Sequence, residues 1–469
     1  MRRVLRENAL CAFVAGAGCA TMAWLGLYGF AWNDYDNEAR PAFDALVHGH
    51  VAQFVALAPA YGGSLVERAP FALLPSLWGG GDLAVYRMVA LPCLLAAAAL
   101  GIWLLAGMRA RHGTRLARAV TLGVCVANPI TLKALELGHP EELLGACMCV
   151  AAVLLGARGR WLAAGLLLGL AIANKQWALL AAAPVLLALP SWLRLRALAS
   201  AAFATAVVLA PLTLAAGGFA ARASAVAAPQ TSGIFQPWQL FWFLGRHGAL
   251  VHGLYGAPKP GYRIGPAWIA GVSHPLIILT GVALALGVWL SASRRASAPP
   301  ATRAASPSPA GLAVPAGPAT AKTATRPGAR LRRLWLTRLS CRQALLTLTL
   351  ALLLRCMLDT WDAVYYPLPF VLALLAWEVQ ADVRRPPVLA LGASVLVWVS
   401  FQWLPEHVSA DFQAAFFLAW TMPLSAWLGV QLLAGRRAPL PRPRHAARSG
   451  GERAQETTVS ALERLVSTS

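Results

Sequence analysis

Apolar runs long enough to cross a lipid bilayer recur along the whole chain, and they limit its fold more than any other feature. A helix needs roughly 20 apolar residues to span the hydrocarbon core. Of the 469 residues, 58% are hydrophobic and 13% are charged, whereas soluble domains carry about 25% charged residues. The sequence therefore predicts an all-α, polytopic membrane protein with about 12 transmembrane helices. The predicted spans are 9–30, 83–107, 117–132, 142–156, 161–173, 177–190, 197–215, 269–291, 341–357, 364–379, 387–404 and 411–433.

The short pair 161–173 and 177–190 can also be interpreted as one long broken helix, which would invert everything downstream. The positive charges discriminate between the two counts, because Lys and Arg are enriched in cytoplasmic loops. With twelve spans and a cytoplasmic N-terminus, 30 of the 40 basic residues lie inside and 10 outside. Merging the pair would move the basic stretch 292–340 outside. We therefore predict twelve spans, with both termini cytoplasmic.

The acidic residues have the opposite distribution, with 13 of the 19 on the outer side. The net charge of +21 thus reflects membrane orientation. Basic segments beside membrane spans contact anionic lipid, so we expect membrane lipid as a partner and no nucleic acid.

The regions between the spans suggest four divisions of the chain. Residues 292–340 are rich in Ala, Pro, Ser and Arg, a composition typical of disordered segments. The first outer loop has a short amphipathic piece at 41–56, and the second is rich in Trp and Phe, which favour the membrane interface. The predicted divisions are a membrane half at 1–291 with outer loops 31–82 and 216–268, a disordered cytoplasmic linker at 292–340, a second membrane half at 341–433, and a basic, disordered cytoplasmic tail at 434–469.

Four clusters of charged residues fall on the predicted outer side. They are "NDYDNEAR" (33–40), "KALELGHPEE" (133–142), "ANKQW" (173–177) and "RCMLDTWDAVYYP" (355–367). An ionisable group at membrane depth costs about 2.5–3.5 kcal/mol on insertion scales and usually faces a cavity or a pathway. We therefore expect the four clusters to converge on one outward-opening cavity.

Each cluster also has a purely structural interpretation. His139, as a candidate metal ligand, lacks a complete ligand set around it. Asp34 and Asp36 can form a solvated loop start or a helix cap, and Glu141 and Glu142 after Pro140 can form the first turn of a helix. Lys175 can snorkel to the interface, and Arg355 can form a local i,i+4 ion pair with Asp359.

The order of the motifs resembles glycosyltransferase family 87, within the GT-C superfamily of membrane enzymes that use polyprenyl-phosphate sugars. The shared pattern is an outer loop that opens with Asp and an aromatic residue, a Gly-containing motif before a helix, "AGLLLGLAIANKQWALLAAAPVLL", and a late "YYPLPFVLALL". It covers roughly residues 20–190 and returns around 355–375.

The resemblance implies a GT-C-like helical fold with its active site on the outer face of the membrane. It implies a catalytic carboxylate in the first outer loop, Asp34 with Asp36 as its rival, and Lys175 lies where the family tends to carry a lysine. One departure is that Gly138-His139-Pro140-Glu141 stands where the family often has Gly-Gln-x-Asn, which suggests a distinct subfamily.

The chemistry of such a transfer suits these residue types. A departing lipid phosphate builds negative charge that Lys175 or Arg355 can stabilise, and an inverting transfer needs one carboxylate to take the acceptor proton. The remaining charged and aromatic residues are candidates for binding the sugar or the acceptor, namely Glu38, Arg40, His139, Glu141, Glu142, Asp359, Asp362, Tyr365 and Tyr366.

We therefore predict an inverting hexosyl- or pentosyltransferase of the plasma membrane. By resemblance, its donor is a polyprenyl-phosphate sugar of the mannose or arabinose type, and its acceptor is a lipid or a cell-envelope glycan on the outer face. No cofactor is predicted, and a metal requirement stays open. The alternative is a transporter or flippase for a lipid-linked or small polar substrate. Such proteins usually contain inverted repeats, and the sequence contains none that we can detect.

Overall fold

The computed structural model of the chain describes residues 13, 15–24, 34–58, 62–215, 236–247, 251–252, 258–259, 261–297 and 336–434. The chain divides into two units, Met1–Leu433 and Ala434–Ser469. The helical bundle belongs to the first unit. Most of the predicted linker 292–340 and all but Ala434 of the predicted tail lie outside the described residues, as do residues 216–235 of the second outer loop.

The described part of the chain is almost entirely helical. The helices are α1 (15–24), α2 (Arg40–Val47), α3 (Val51–Leu57), α4 (Gly63–Ala72), α5 (Asp82–Ala110), α6 (Arg115–Val126), α7 (Pro129–Glu136), α8 (Glu141–Ala157), α9 (Trp161–Asn174), α10 (Ala182–Ala188), α11 (Ser191–Ala215), α12 (Ala267–Ser297), α13 (Cys341–Leu358), α14 (Leu368–Ala381), α15 (Val388–Trp398), α16 (Leu404–His407) and α17 (Ala410–Ala434). Single turns of π- or 3₁₀-helix span Tyr35–Ala39, Leu74–Trp78, Gln176–Ala181, Trp242–Leu244 and Val399–Trp403. Two short antiparallel strands, β1 (Val251–His252) and β2 (Pro258–Lys259), form the only sheet among the described residues.

The described parts of the predicted membrane spans are largely helical, although span 117–132 is interrupted at 127–128 and span 364–379 becomes helical only from Leu368. Seven helical stretches are long and apolar enough to cross a bilayer, namely Asp82–Ala110, Arg115–Glu136, Ser191–Leu214, Ala267–Ser293, Cys341–Leu358, Val388–His407 and Ala410–Ala434. Shorter apolar helices lie at Trp161–Asn174, Gln176–Ala188 and Leu368–Ala381. The protein is therefore a helical, multi-pass membrane protein, and the count of about 12 crossings stays a prediction.

Helix α8 forms the centre of the bundle. Most of its side chains are buried, from Leu143 near the start to Leu154 near the end. It packs against α5, α9, α10, α13 and α14. A helix that is apolar on all sides is expected in such a position, so α8 fixes the arrangement of the elements around both of its ends.

The "GLLLG" stretch of α9 is a close contact between helices. A Cβ atom added to Gly165 or Gly169 would overlap the carbonyl oxygen of Ala197 or Ala201 on α11. Small residues four apart allow two helix backbones to approach closely. The two glycines thus bring the backbones of α9 and α11 into close contact.

The chain breaks at Lys175, between the short spans that were hard to separate in the sequence. Lys175 is extended, with φ −151° and ψ 134°, after the last turn of α9. A 3₁₀ turn and α10 follow it. The two segments are therefore separate helices, and the break holds Lys175 at the end of the bundle where α8 begins.

The first outer segment contains more structure than its predicted loop. The amphipathic piece at 41–56 forms α2 and α3, divided at Gly49, while α4 and the 3₁₀ turn Leu74–Trp78 were not predicted. A satellite core built around Phe43, Phe54 and Tyr86 joins these helices to α5. The segment is thus a small helical subdomain.

The described part of the second outer loop packs against helices. Trp238 and Trp242 are buried, although their composition predicted a position at the membrane interface. Trp242 donates its indole N–H to Asp411 at 2.7 Å, and Arg263 forms a bidentate pair with the same carboxylate. Trp238 donates its indole N–H to the carbonyl of Ser400, so both buried indoles have a hydrogen-bond partner, as large amphipathic rings usually do.

Candidate active site

The first turn of α8 lies at the centre of the charged clusters predicted from the sequence. Gly138 precedes it with φ +90°, a conformation that favours glycine. A Cβ atom at Gly138 would lie 2.6 Å from the Cβ of Tyr35. The absence of a side chain therefore allows the turn at Tyr35–Ala39 to close over the start of α8.

Glu141 is the hub of the cluster. Its carboxylate lies 3.0 Å from a guanidinium nitrogen of Arg68 and 3.2 Å from Nζ of Lys175. The side chain of Asn174 donates to the carbonyl of Glu141 at 2.8 Å. Both Arg68 and Glu141 are almost fully buried, so each charge depends on its partner for stabilisation. The α8 N-terminus also favours a carboxylate at this position.

Asp34 is joined to this hub through His139. Nε2 of His139 lies 3.1 Å from Oδ2 of Asp34, and Nδ1 lies 2.9 Å from Oε1 of Glu141. The imidazole is buried, whereas 38% of the Asp34 side chain is exposed. The structure therefore brings the first two acidic clusters together, with Asp34 at the open edge.

Asp36 belongs to a different group. Its carboxylate is 3.1 Å from Arg40, which also pairs with Asp44 and Asp82. Arg40 thus neutralises acids on the outer side of this segment and links it to the start of α5. The structure separates Asp36 and Arg40 from the contact between Asp34 and His139, although Asp34, Asp36 and Arg40 stand within seven positions of the chain.

Lys175 and Arg355 both interact with Glu142. Nζ of Lys175 is 3.8 Å from the carboxylate of Glu142, and the charge of Glu142 also acts on Arg355. The Arg355 guanidinium stacks between two rings, 5.4 Å from the centroid of Trp177 and 4.6 Å from that of Tyr366. The third and fourth clusters therefore meet the second at Glu142.

Arg355 does not form the local ion pair with Asp359 that the spacing allowed. It donates instead to the carbonyl of Tyr366 at 3.2 Å, while Asp359 accepts from the backbone N–H of Trp361. Burial raises the pKa of Asp362, with the nearby charge of Asp359 adding to the rise and Arg355 opposing it. Both carboxylate oxygens of Asp362 are buried. A backbone hydrogen bond from Ala363 also opposes the rise in its pKa, and no side chain donates to this carboxylate.

Aromatic rings complete the wall of the site. Tyr365 packs against His139 with 4.4 Å between ring centroids and against Tyr366 with 5.2 Å. Glu38 lies near enough for its charge to act on Lys175 and Tyr365. These rings connect the Asp34 side of the site with the Arg355 side.

Sequence reasoning missed three residues of the cluster. Arg68 was counted only as a basic residue on the outer side, yet it forms the buried partner of Glu141. Asn174 and Trp177 flank Lys175 in "ANKQW", where they went unassigned, and a Cβ at Gly145 would contact both of them. An arginine inside the short apolar stretch of α4 was the one available signal, because a buried arginine needs a carboxylate.

No group of three or more His, Cys, Asp or Glu side chains could hold a metal ion within the part of the chain that the structure describes. His139 is accordingly engaged by two carboxylates rather than by a set of metal ligands. The site as described is a cluster of alternating positive and negative charges lined by aromatic rings.

Comparison with known protein families identifies the class of protein to which this chain belongs. Residues 63–313, more than half of the chain, match the model of glycosyltransferase family 87, and the chain belongs to that family. The protein is thus a multi-pass membrane glycosyltransferase. The comparisons with curated proteins and with solved structures returned no match.

Proposed function

We propose that the protein transfers a sugar from a polyprenyl-phosphate donor to a lipid or cell-envelope glycan acceptor on the outer face of the plasma membrane. The observation that carries the proposal is the convergence of Asp34, Lys175 and Arg355 on the first turn of α8. A carboxylate with an exposed edge and two cations near one glutamate are the groups that such a transfer needs.

Asp34 is the proposed base. As the acceptor oxygen forms its bond to the anomeric carbon, its proton passes to Asp34 and the bond from that carbon to the phosphate oxygen breaks. The electron pair leaves with the phosphate. One carboxylate suffices for this inverting reaction, because no covalent sugar–enzyme intermediate forms.

Lys175 and Arg355 are the proposed donor phosphate ligands. In the structure Lys175 contacts Glu141 and Glu142, so a phosphate would share this ammonium with the two carboxylates. Arg355 has a planar guanidinium, which suits a phosphate geometrically. The buried carboxylate of Asp362, to which no side chain donates, and one unpartnered oxygen of Glu142 are proposed acceptors for sugar hydroxyls, with the rings of Tyr365 and Tyr366 beside them.

The distribution of charge along α8 supports the proposed orientation. The acidic site lies at the N-terminal end of α8, whereas Arg338 donates to the carbonyl of Ala157 at the other end. By the positive-inside rule, the basic end belongs in the cytoplasm and the site outside. The GT-C enzymes that the chain resembles use lipid-linked sugars on that outer side.

The experiment is to incubate the purified protein with radiolabelled polyprenyl-phosphate sugars of the mannose and arabinose types and to analyse the products. We expect transfer from at least one donor. Lys175→Ala and Arg355→Ala should raise the donor KM or abolish turnover, while Arg87→Ala, on the outer half of α5, should not. If no donor is consumed, the proposed function is wrong. If both variants keep wild-type kinetics, the phosphate site is elsewhere.

A further inference from the structure

His139 lies between two carboxylates, and this position determines its protonation. Its Nδ1 faces Glu141 at 2.9 Å and its Nε2 faces Asp34 at 3.1 Å. An ionised carboxylate only accepts hydrogen bonds, and a neutral imidazole carries one N–H and one lone pair. With a neutral ring, one contact would place a lone pair against a carboxylate oxygen. Both contacts are hydrogen bonds only if the site holds one more proton.

That proton belongs on the imidazole rather than on a carboxylate. Glu141 is already bound by Arg68 and Lys175, and two cations favour its ionised form. Asp34 is partly exposed, so water solvates its charge. The proton therefore makes His139 an imidazolium that donates in both directions.

A buried carboxylate without an opposite charge is strongly destabilising. A protonated His139 sets a positive charge against both Asp34 and Glu141, the two carboxylates that the ring contacts.

The groups that face the ring from the neighbouring elements act in the same direction. Burial lowers the pKa of His139, but the hydrogen bonds to Asp34 and Glu141 outweigh burial and raise this pKa to about 9, against a smaller opposing effect of Lys175. The fourth neighbour, Tyr365, contributes an aromatic ring at 4.4 Å. The ring thus stays protonated through neutral pH.

We propose that His139 is a positioning residue, an imidazolium clamp that holds Asp34 by Oδ2 and is itself held by Glu141. The role of Asp34 rests on the proposed function. The clamp leaves Oδ1 of Asp34 to accept the proton of the acceptor hydroxyl as the new bond to the anomeric carbon forms and the phosphate departs with its electron pair. His139 keeps its own proton throughout, and Asp34 returns the acquired proton to water at its exposed edge.

The clamp has a direct spectroscopic test that does not depend on turnover. In protein labelled with [15N]histidine and held in detergent micelles, the resonance that disappears in His139→Asn identifies the ring. We expect imidazolium shifts at pH 8 and a titration near pH 9. Asp34→Asn and Glu141→Gln should each lower the titration midpoint, whereas Asp36→Asn, whose carboxylate pairs with Arg40, should not. A neutral His139 at pH 8, or a midpoint unchanged in Asp34→Asn, would overturn the proposal.

Turnover supplies the second readout. With a donor that the wild-type protein uses, kcat should fall as the pH rises through about 9, because a neutral ring releases Asp34. His139→Asn should lower kcat by about 10- to 100-fold, as misplacement of a catalytic group does, and should lose this alkaline decline. His112→Asn, on the exposed turn after α5, is the matched control. An imidazolium signal combined with wild-type turnover in His139→Asn would exclude the positioning role. If the wild-type protein transfers no sugar, the proposed function fails and the spectra alone decide on the clamp.

Discussion

At the scale of single residues, the site depends on which acid contacts which base, and chain order does not reveal this. Asp34 and Asp36 stand two positions apart in one acidic stretch, yet the structure gives them different partners, His139 for the first and Arg40 for the second. The sequence placed both near the end of the first helix and left their roles open. A π-helical turn starts between them, and residues two positions apart on a helix do not face each other.

The different partners of the two acids lead to a prediction for activity. Asp34→Asn is nearly isosteric and should lose at least about 100-fold in kcat, since removal of a general base typically costs about 10²–10⁴-fold. Donor binding and folding should persist, as checked by donor KM and by size-exclusion chromatography. Asp36→Asn should keep most of the turnover. If Asp34→Asn stays active and Asp36→Asn is inactive, the base is Asp36. If both variants and the double variant stay active, the mechanism loses its main support.

Glu67 supports a prediction about stability. Both of its carboxylate oxygens are buried without a hydrogen-bond partner. Burial raises its pKa to about 8, against the opposing effect of Arg68. Because the pKa of the folded state exceeds that of the unfolded chain, this carboxyl favours the folded state most at low pH. Its contribution decreases as the pH rises from about 4.5 to about 8.

Glu67→Gln should therefore stabilise the protein increasingly across that window. We expect a gain in Tm of at least about 2 °C at pH 8.5 and a smaller one at pH 5, measured by thermal unfolding in detergent. Glu136→Gln is the control, because its parent carboxylate pairs with Lys133 on the same helix. Equal gains for Glu67→Gln at both pH values would show that Glu67 is ionised in the folded protein.

At the scale of the elements, hydrophobic runs predicted the helices well, and polar segments predicted little. Each apolar stretch is a helix in the described structure because membrane-spanning backbone must satisfy its own hydrogen bonds. Helix α4 escaped prediction, since it is short and contains both Glu67 and Arg68. The break at Lys175 was foreseen only as an ambiguity, because a single sequence does not show the contacts of Lys175 with Glu141 and Glu142.

The turn before α8 allows a prediction at this scale. Gly138 and Gly49 both have positive φ, +90° and +80°, but only at Gly138 would a Cβ meet a neighbour, Tyr35. Gly49→Ala should lower the free energy of unfolding by about 1–2 kcal/mol, because its backbone conformation disfavours a side chain. Gly138→Ala should lower the free energy of unfolding by about 1–3 kcal/mol more, because its Cβ clashes with Tyr35. It should also reduce turnover, because the clash displaces Asp34 from His139. Thermal unfolding and kcat of the two variants test this, and equal effects would show that the close approach to Tyr35 is unimportant.

At the scale of the whole molecule, α8 has an acidic site at one end and basic residues at the other. Arg158 follows its last turn and stacks on Trp103, and Arg338 caps the carbonyl of Ala157. The sequence predicted this asymmetry, because the predicted topology assigns 30 basic residues to one side and 10 to the other. The pairing of Arg68 with Glu141, 73 positions apart, was not visible, since no local spacing signals a contact of that range.

The asymmetry predicts the orientation of the protein in the membrane. Ser306, in the basic segment between α12 and α13, should lie in the cytoplasm, so a Ser306→Cys variant should resist an impermeant thiol reagent in intact cells and react after permeabilisation. Gln53→Cys, exposed on α3, should react in both conditions, because α3 belongs to the segment on the side of the site. The native cysteines that the structure describes are buried or partly buried, which keeps the background low. Efficient labelling at position 306 in intact cells would invert the topology, place the cluster around Glu141 on the cytoplasmic side, and exclude a donor that is presented at the outer leaflet.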